Sequence, residues 1–278
     1  WKGHALGRPL IGTPATLRAF TRNRLLAFKN ALYVPGRTCI VASGGVDHAA
    51  CVAHAARLTR GLRPARGPAG RAVTPRVPQE RLVLRTKAIE QTHLALGFRL
   101  FGRPDPRRYA LKLLSVILGE NMSSRLFQVV RERHGLAYAI HSGAHLFADT
   151  GALVVSAGLD RRRPEQALAL IARELRRLKT TPVSPRELAR AREYVVGQLR
   201  LALESPSGHM MWIGEHLLQE GRVRAPEDTI AAIQAVTPAE LRALAAAIFR
   251  TPAASLAWLS PEDRPGDARR LRALLDGV

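Results

Sequence analysis

Apolar positions along the chain follow two spacings. Between about residues 106 and 118, Ala110, Leu113, Leu114 and Ile117 fall on one side of a 3.6-residue turn, which predicts a helix. A second helix is expected at about 123–133. Strand-like stretches lie near 81–87 and 91–99, the latter within THLALGFRL. Further strands are expected near 136–147 and 150–159, around the hairpin signal Asp149-Thr150-Gly151. Helices follow at about 164–179 and 184–204, where Ser184-Pro185 and Glu187 read as a capping-box start. Shorter helices near 207–220, 226–235 and 237–249, a strand at 254–259 and a final helix close the pattern. Interleaved helices and strands with a hairpin predict an α+β fold, its helices packed on one face of a mainly antiparallel sheet.

The opening region reads differently. Thr13-Pro14 is an N-cap followed by proline at the first helical position. Thr21 caps a second helix through Leu25, Leu26, Phe28 and Leu32. After the Pro35-Gly36 turn, TCIVA at 38–42 reads as a short buried strand, and Asp47 caps a third helix. Residues 61–80, GLRPARGPAGRAVTPRVPQE, hold several Pro and Gly and almost no large apolar side chain. That composition predicts an exposed linker. The expected domains are therefore 1–60 and 81–278, joined by 61–80.

Composition narrows the picture. With 278 residues and 46% hydrophobic positions, the chain can bury two modest cores. It has neither an apolar run long enough to cross a bilayer nor a basic-then-apolar leader. It begins at Trp1, so a preceding segment is expected, and cytoplasm and periplasm both stay open. Cys39 and Cys51 lack a metal-ligand spacing and read as buried free thiols. The net charge of +21 raises nucleic acid as a partner. Only five of the 43 basic residues are Lys, and they are spread over nearly every segment. The Arg161-Arg162-Arg163 cluster has no interleaved aromatics for base stacking, so this is the weakest functional reading.

One block carries a specific resemblance. MSSRLFQVVRERHGLAY, residues 122–138, resembles the second-domain motif of the pitrilysin/insulinase-type zinc peptidases, which include mitochondrial processing peptidase. HALGRPLIGT at 4–13 resembles the end of the segment after that family's zinc site, and residues 25–47 its following helix–turn–strand pattern. The resemblance implies two similar α+β domains facing each other across a chamber. Zinc sits in the first, on an H-x-x-E-H helix with a further Glu downstream. By that alignment residues 1–60 are the C-terminal remnant of a zinc-type domain, and 81–278 are the second, substrate-contacting domain.

The same resemblance implies roles for three residues. Tyr138 would donate a hydrogen bond to the scissile carbonyl as it gains charge, and Arg131 would hold that oxygen or a neighbouring peptide carbonyl. Gly135 would permit the tight passage from helix to strand. The bland reading makes Arg131 a solvated helix-end cation and Tyr138 a half-buried strand aromatic.

No H-x-x-E-H occurs in the chain. His141 and His145 have i,i+4 spacing but lie in an expected strand. In WIGEH, Trp212 stands where the first His would be, ahead of Glu215 and His216, and is expected to pack in a core. Ser123 and Ser124 read as helix caps. THLALGFRL could be an edge strand that pairs with an extended peptide, or an internal strand. The expectation is a peptide-binding portion of a metallopeptidase that holds no zinc and is inactive alone. Zinc would belong to an intact or partner first domain. The alternative is a non-catalytic structural or partner subunit.

Overall fold

The computed structural model describes residues 1, 3–62, 65, 67–68, 70–73, 81–262 and 266–277. Much of the expected linker at 61–80 lies outside the described residues. The chain forms two compact units, one of residues 1–74 with 198–226, the other of 75–197 with 227–278.

The second unit is built on a five-stranded sheet: β1 (Leu82–Thr86), β2 (Thr92–Leu100), β3 (Ala137–Leu146), β4 (Gly151–Leu159) and β5 (Ala254–Ser260). Their spatial order is β1-β5-β2-β4-β3. Only the β1–β5 pair is parallel. β2 is therefore internal, so the edge-strand alternative for THLALGFRL falls. Its even positions, Thr92, Leu94, Leu96, Phe98 and Leu100, are buried, while His93 on the other face is exposed. A two-residue period sends alternate side chains to opposite faces, so this strand has one core face.

Helices cover that core face. Helix α4 (Arg108–Ser115) buries Ala110, Leu111, Leu113 and Leu114, then widens into a π-helical turn at Val116–Glu120. Gly119 is required there, because a Cβ on it would lie 2.7 Å from the backbone nitrogen of Ser142 on β3. Helix α5 (Pro164–Thr180) starts on proline and buries Ala167, Leu168, Ile171, Leu175 and Leu178 at helical spacing. Helices α6 (Pro185–Leu203) and α9 (Pro238–Ile248) add Leu188, Val195, Leu241 and Leu244 to the same core. Phe98 and Phe249 meet edge to face, 5.1 Å between ring centres, at its middle. Helices α8 (Pro226–Ala235) and α10 (Asp267–Asp276) complete the unit.

The first unit holds α1 (Pro14–Arg18), α2 (Arg22–Leu32), α3 (His48–Thr59) and α7 (Pro206–Glu220). Thr13, Thr21 and Asp47 accept backbone N–H bonds at the starts of the first three, as expected. Residues 38–42 join no sheet, contrary to the expected strand. A strand exists only as part of a ladder, and the described residues of this unit hold no strand for it to pair with. The segment instead runs beside α7, with Val41 against Gly214 and the Cys39 thiol 4.0 Å from the Gly214 carbonyl. Cys39 and Cys51 are both free, but partly exposed rather than buried. No helix of the described residues is long and apolar enough to cross a membrane.

Candidate functional site

The junction between residues 121 and 138 is assembled by short-range hydrogen bonds. Asn121 opens it: its Oδ1 accepts the Ser123 N–H at 2.9 Å. Ser124 donates its hydroxyl to the Asn121 carbonyl at 2.5 Å. Ser124 stands at the helix start, where its carbonyl accepts the Gln128 N–H, but its hydroxyl donates to Asn121 instead of accepting a helix N–H, and Ser123 lies in the turn before it. An Asx side chain bonds the backbone two residues on and starts the turn.

The following helix is π-helical over Phe127–Arg133. It ends in an αL cap: Gly135 N–H donates to the Arg131 carbonyl, and the next residue, Leu136, donates its N–H to the Val130 carbonyl, at 3.0 and 2.9 Å. Gly135 takes the left-handed conformation this motif needs, at φ +59°. Leu136 plugs the core at 1% exposure. β3 then begins at Ala137, and Tyr138 sits in a β-bulge, because Ala137 pairs with Leu159 and Ala139 with Gly158. A bulge leaves its extra residue out of the ladder and re-aims its side chain. Tyr138 is accordingly 62% exposed, not half-buried in a strand.

Arg131 lies four residues before that turn. Its guanidinium stacks over the Phe127 ring at 4.7 Å and stands 3.8 Å from the Glu132 carboxylate. Both charged side chains are about half exposed, so this ion pair contributes little. Arg131 and Tyr138 share no hydrogen bond among the described residues, and the Tyr138 hydroxyl has no partner there. Each offers a donor to solvent or to a ligand.

A deeper contact holds this junction to the body of the unit. The Arg125 Nε and Nη2 donate to the two oxygens of Glu187 on α6, both at 2.8 Å. Burial disfavours the charged Arg125, but the Glu187 hydrogen bond and charge, helped by Glu174, outweigh it and raise the guanidinium pKa. Ser184 Oγ still accepts the Glu187 N–H, yet the Glu187 carboxylate goes to Arg125, so only half of the expected capping box is used. Beside this pair, a cleft of about 400 Å³ opens between residues 116–124 and α6, with Met122, Arg190 and Tyr194 on its walls. Sequence spacing could not reveal the Arg125–Glu187 pair, whose members lie 62 positions apart.

The zinc near-misses do not assemble a metal site. His141 and His145 share one face of β3, so their Cα atoms stand about 13 Å apart, too far to share an ion bound at ~2 Å. His216 Nδ1 lies 2.8 Å from the Trp212 carbonyl, and the two rings are tilted together at 4.2 Å. Trp212 is only partly buried and donates its indole N–H to the Arg224 carbonyl at 2.9 Å. Among the described residues no three His, Cys, Asp or Glu side chains cluster as metal ligands.

Residues 19–195 match the family described as Peptidase M16 inactive domain. The chain belongs to this family. It is 39% identical over 248 residues to an uncharacterized zinc protease of Mycobacterium tuberculosis, covering 87% of this chain and 56% of that protein. An uncharacterized zinc protease of Bacillus subtilis, YmxG, is 33% identical over 258 residues, 93% of this chain and 62% of its own length. The chain thus spans little more than half of these relatives. Among solved structures, a protease from Helicobacter pylori superposes with TM-score 0.82 at 20% identity, over 90% of this chain and 61% of that one. A peptidase M16 inactive domain from Pseudomonas fluorescens gives 0.81 at 22%, over 91% and 60%. At such identities these two establish the fold alone. The resemblance to pitrilysin/insulinase-type peptidases and the α+β fold with a mainly antiparallel sheet both hold.

Proposed function

We propose that the chain is the C-terminal, peptide-contacting portion of an M16-type zinc peptidase. Residues 81–278 would form its second, non-metal domain and residues 1–60 the tail of a first, zinc-type domain. Hydrolysis itself would require that zinc-bearing domain, whether in the same protein or in a partner subunit. The partner of the site would be an extended or unfolded peptide.

The observation that carries this reading is the placement of Tyr138 and Arg131. The left-handed turn at Gly135 and the bulge leave a phenol and a guanidinium exposed, with no hydrogen bond among the described residues using up the hydroxyl. A fixed donor aimed at an oxygen that gains negative charge stabilises the transition state more than the ground state. Tyr138 would give such a bond to the carbonyl being cleaved. Arg131, a planar forked donor, would hold peptide carbonyls.

The test is Tyr138→Phe in a protein that contains the zinc-type domain. The expected result is a loss of about 10²-fold in kcat with peptide affinity largely kept. Arg131→Ala should raise KM, and Arg131→Lys should restore little. Cleavage at the normal rate by Tyr138→Phe would make the pair structural and favour a non-catalytic partner subunit.

A further inference from the structure

One end of the sheet in the second unit gathers arginine. β4 ends at Leu159, which pairs with Ala137 at the start of β3, and the Asp160 N–H donates to the Leu136 carbonyl at 3.0 Å. A tight turn follows. Asp160 Oδ1 accepts the Arg162 N–H at 2.9 Å, and the Asp160 carbonyl accepts the Arg163 N–H at 3.2 Å. Arg161, Arg162 and Arg163 are thereby brought beside the turn that carries Arg131, Arg133 and Tyr138. All five arginines are exposed, against two acids in these segments, Glu132 and Asp160.

The fold itself does not call for arginine there. Helix α5 starts at Pro164, and Arg163 occupies its N-cap position without a side-chain cap bond. The start of a helix carries partial positive charge, so acidic and short polar side chains stabilise it and arginine opposes it. Arg133, Arg162 and Arg163 have no ion-pair partner among the described residues. The Asp160 carboxylate is engaged by the backbone of its own turn, and Glu132 stands 3.8 Å from Arg131. An excess of positive charge therefore faces solvent beside the candidate site. One exposed aromatic, Tyr138, accompanies it, whereas single-stranded nucleic acid is held on several stacking rings.

We propose that Arg133, Arg161, Arg162 and Arg163 form a subsite for acidic side chains, so that the peptide held at Tyr138 carries a run of Asp or Glu a few residues from the carbonyl that Tyr138 contacts. The proposal rests on the peptide-binding reading above and gives that site a substrate class. Asp160 and Leu136 are hydrogen-bonded neighbours about 5 Å apart, and Tyr138 lies two residues on. The arginines thus begin roughly 10 Å from Tyr138, or about three residues of extended peptide. A single exposed ion pair contributes little to binding. Several neighbouring guanidiniums act together on a run of carboxylates, and each can hold one through two parallel N–H bonds. The main chain of the peptide is left to Arg131 and Tyr138, and the acidic run supplies selection.

The experiment measures binding of fluorescein-labelled peptides to the full chain by fluorescence anisotropy at physiological salt. The peptides are blocked at both ends, so their carboxylates belong to side chains. Each has a central Phe and a run of Glu that starts three residues before it or three residues after it; in the reference peptides every Glu is Gln. At least one Glu peptide should bind about tenfold more tightly than its reference, the product of a few exposed ion pairs. Arg162→Glu with Arg163→Glu should abolish that preference. Glu is favoured at a helix start, so this variant should keep the parent's circular dichroism. Arg242→Glu with Arg250→Glu changes the net charge equally at exposed positions on and after α9, and should keep the preference. Equal loss in the two variants would mean that the acidic peptide follows net charge alone, and overturns the subsite. Equal binding of Glu and Gln peptides, weakened in Arg131→Ala, would overturn the subsite and keep the Arg131–Tyr138 reading. An acid preference that needs Arg162 and Arg163, with affinity unchanged in Arg131→Ala, would support the subsite and sink the Arg131 grip. No binding by any peptide would overturn both. A DNA duplex that binds more tightly than the Glu peptides, and is released by Arg162→Glu with Arg163→Glu, would assign the arginines to nucleic acid and overturn the acidic peptide.

Discussion

The two units use the same helix-starting chemistry and reach opposite states of packing. In the second unit a continuous core runs from Leu82 to Leu275 in sequence, with Leu96, Phe98, Leu114, Leu153 and Phe249 at 1% exposure or less. In the first unit Val34 is the sole buried apolar residue among those described. There Ile11, Phe28, Tyr33, Ile40 and Leu58 all stand more than half exposed. Caps and helix propensity are local, so they form α1, α2 and α3 wherever the sequence supplies Thr or Asp at the start. Burial is not local, and it needs a second apolar layer. The first unit has helices with an apolar side but, among the described residues, no sheet against which to place it.

The widest separation between the units should appear on truncating one phenylalanine in each. Phe98→Ala removes a fully buried ring that touches Phe249 and should cost about 3–5 kcal/mol. Phe28→Ala removes a ring that is 61% exposed and should stay within about 0.5 kcal/mol. Urea unfolding of the full chain, followed by circular dichroism, measures both. Equal losses would mean that Phe28 is as firmly packed as Phe98 and would break the comparison.

Next in size is the ion pair that ties the candidate site to the core. Arg125→Ala leaves the Glu187 carboxylate without its bidentate partner in a mostly buried place. A fully buried pair broken this way costs roughly 3–5 kcal/mol; partial exposure here reduces the expectation to about 1–3 kcal/mol. Arg125→Lys should recover only part, because a single ammonium cannot match both oxygens. Hydrogen exchange should speed up within Phe127–Arg133 before it does in β2. Unchanged exchange there would show that the junction is held by its apolar contacts alone.

Two glycines separate crowding from backbone angle. Gly119→Ala forces a methyl against the Ser142 backbone at an ordinary extended φ, and should cost about 1–3 kcal/mol. Gly135→Ala meets nothing within 4 Å but must hold φ +59°, and should cost about 1 kcal/mol. Thermal unfolding ranks them. A reversed order would mean that β3 yields to Gly119 more readily than the turn at Gly135 yields its angle.

These contrasts also explain what could be read without coordinates. The sheet and its covering helices were legible because they are periodic: THLALGFRL alternates, and α5 repeats its leucines on one side. The π-helical widening at Val116–Glu120 and Phe127–Arg133 was not, because one added residue per turn barely disturbs a short apolar pattern. TCIVA looked like a strand because its residues suit one, but residue preference cannot supply a partner. Glu187 looked like half of a capping box because its long-range partner, Arg125, leaves no mark nearby. Arg131 and Tyr138 were singled out by resemblance. The Tyr138 bulge that turns the ring outward depends on pairing with β4, which no local spacing encodes.

The smallest effect compares one cap in each unit. Thr237 and Glu240 form a full capping box on α9: Glu240 N–H donates to the Thr237 hydroxyl, and the Thr237 N–H donates to the Glu240 carboxylate. The Thr237 backbone N–H, then its hydroxyl, hold the Glu240 carboxyl below the usual carboxylate range. A carboxyl depressed in the folded state stabilises fully above its unfolded pKa, and that share is lost as pH falls through the lower folded value. Thr237→Ala should therefore cost about 1 kcal/mol at neutral pH, and less once acid has protonated Glu240. Thr21 caps α2 with a single bond to the Arg24 N–H at 3.3 Å, and no carboxylate takes part. Its loss should lower helix content slightly with no acid dependence, and should leave the main unfolding midpoint in place. α9 buries Leu241, Leu244 and Ile248 in the core, so fraying its start reaches the cooperative unit; α2 buries nothing. If Thr21→Ala moves the midpoint as far as Thr237→Ala, the helices of the first unit unfold together with that core, and the contrast in burial does not carry over to stability.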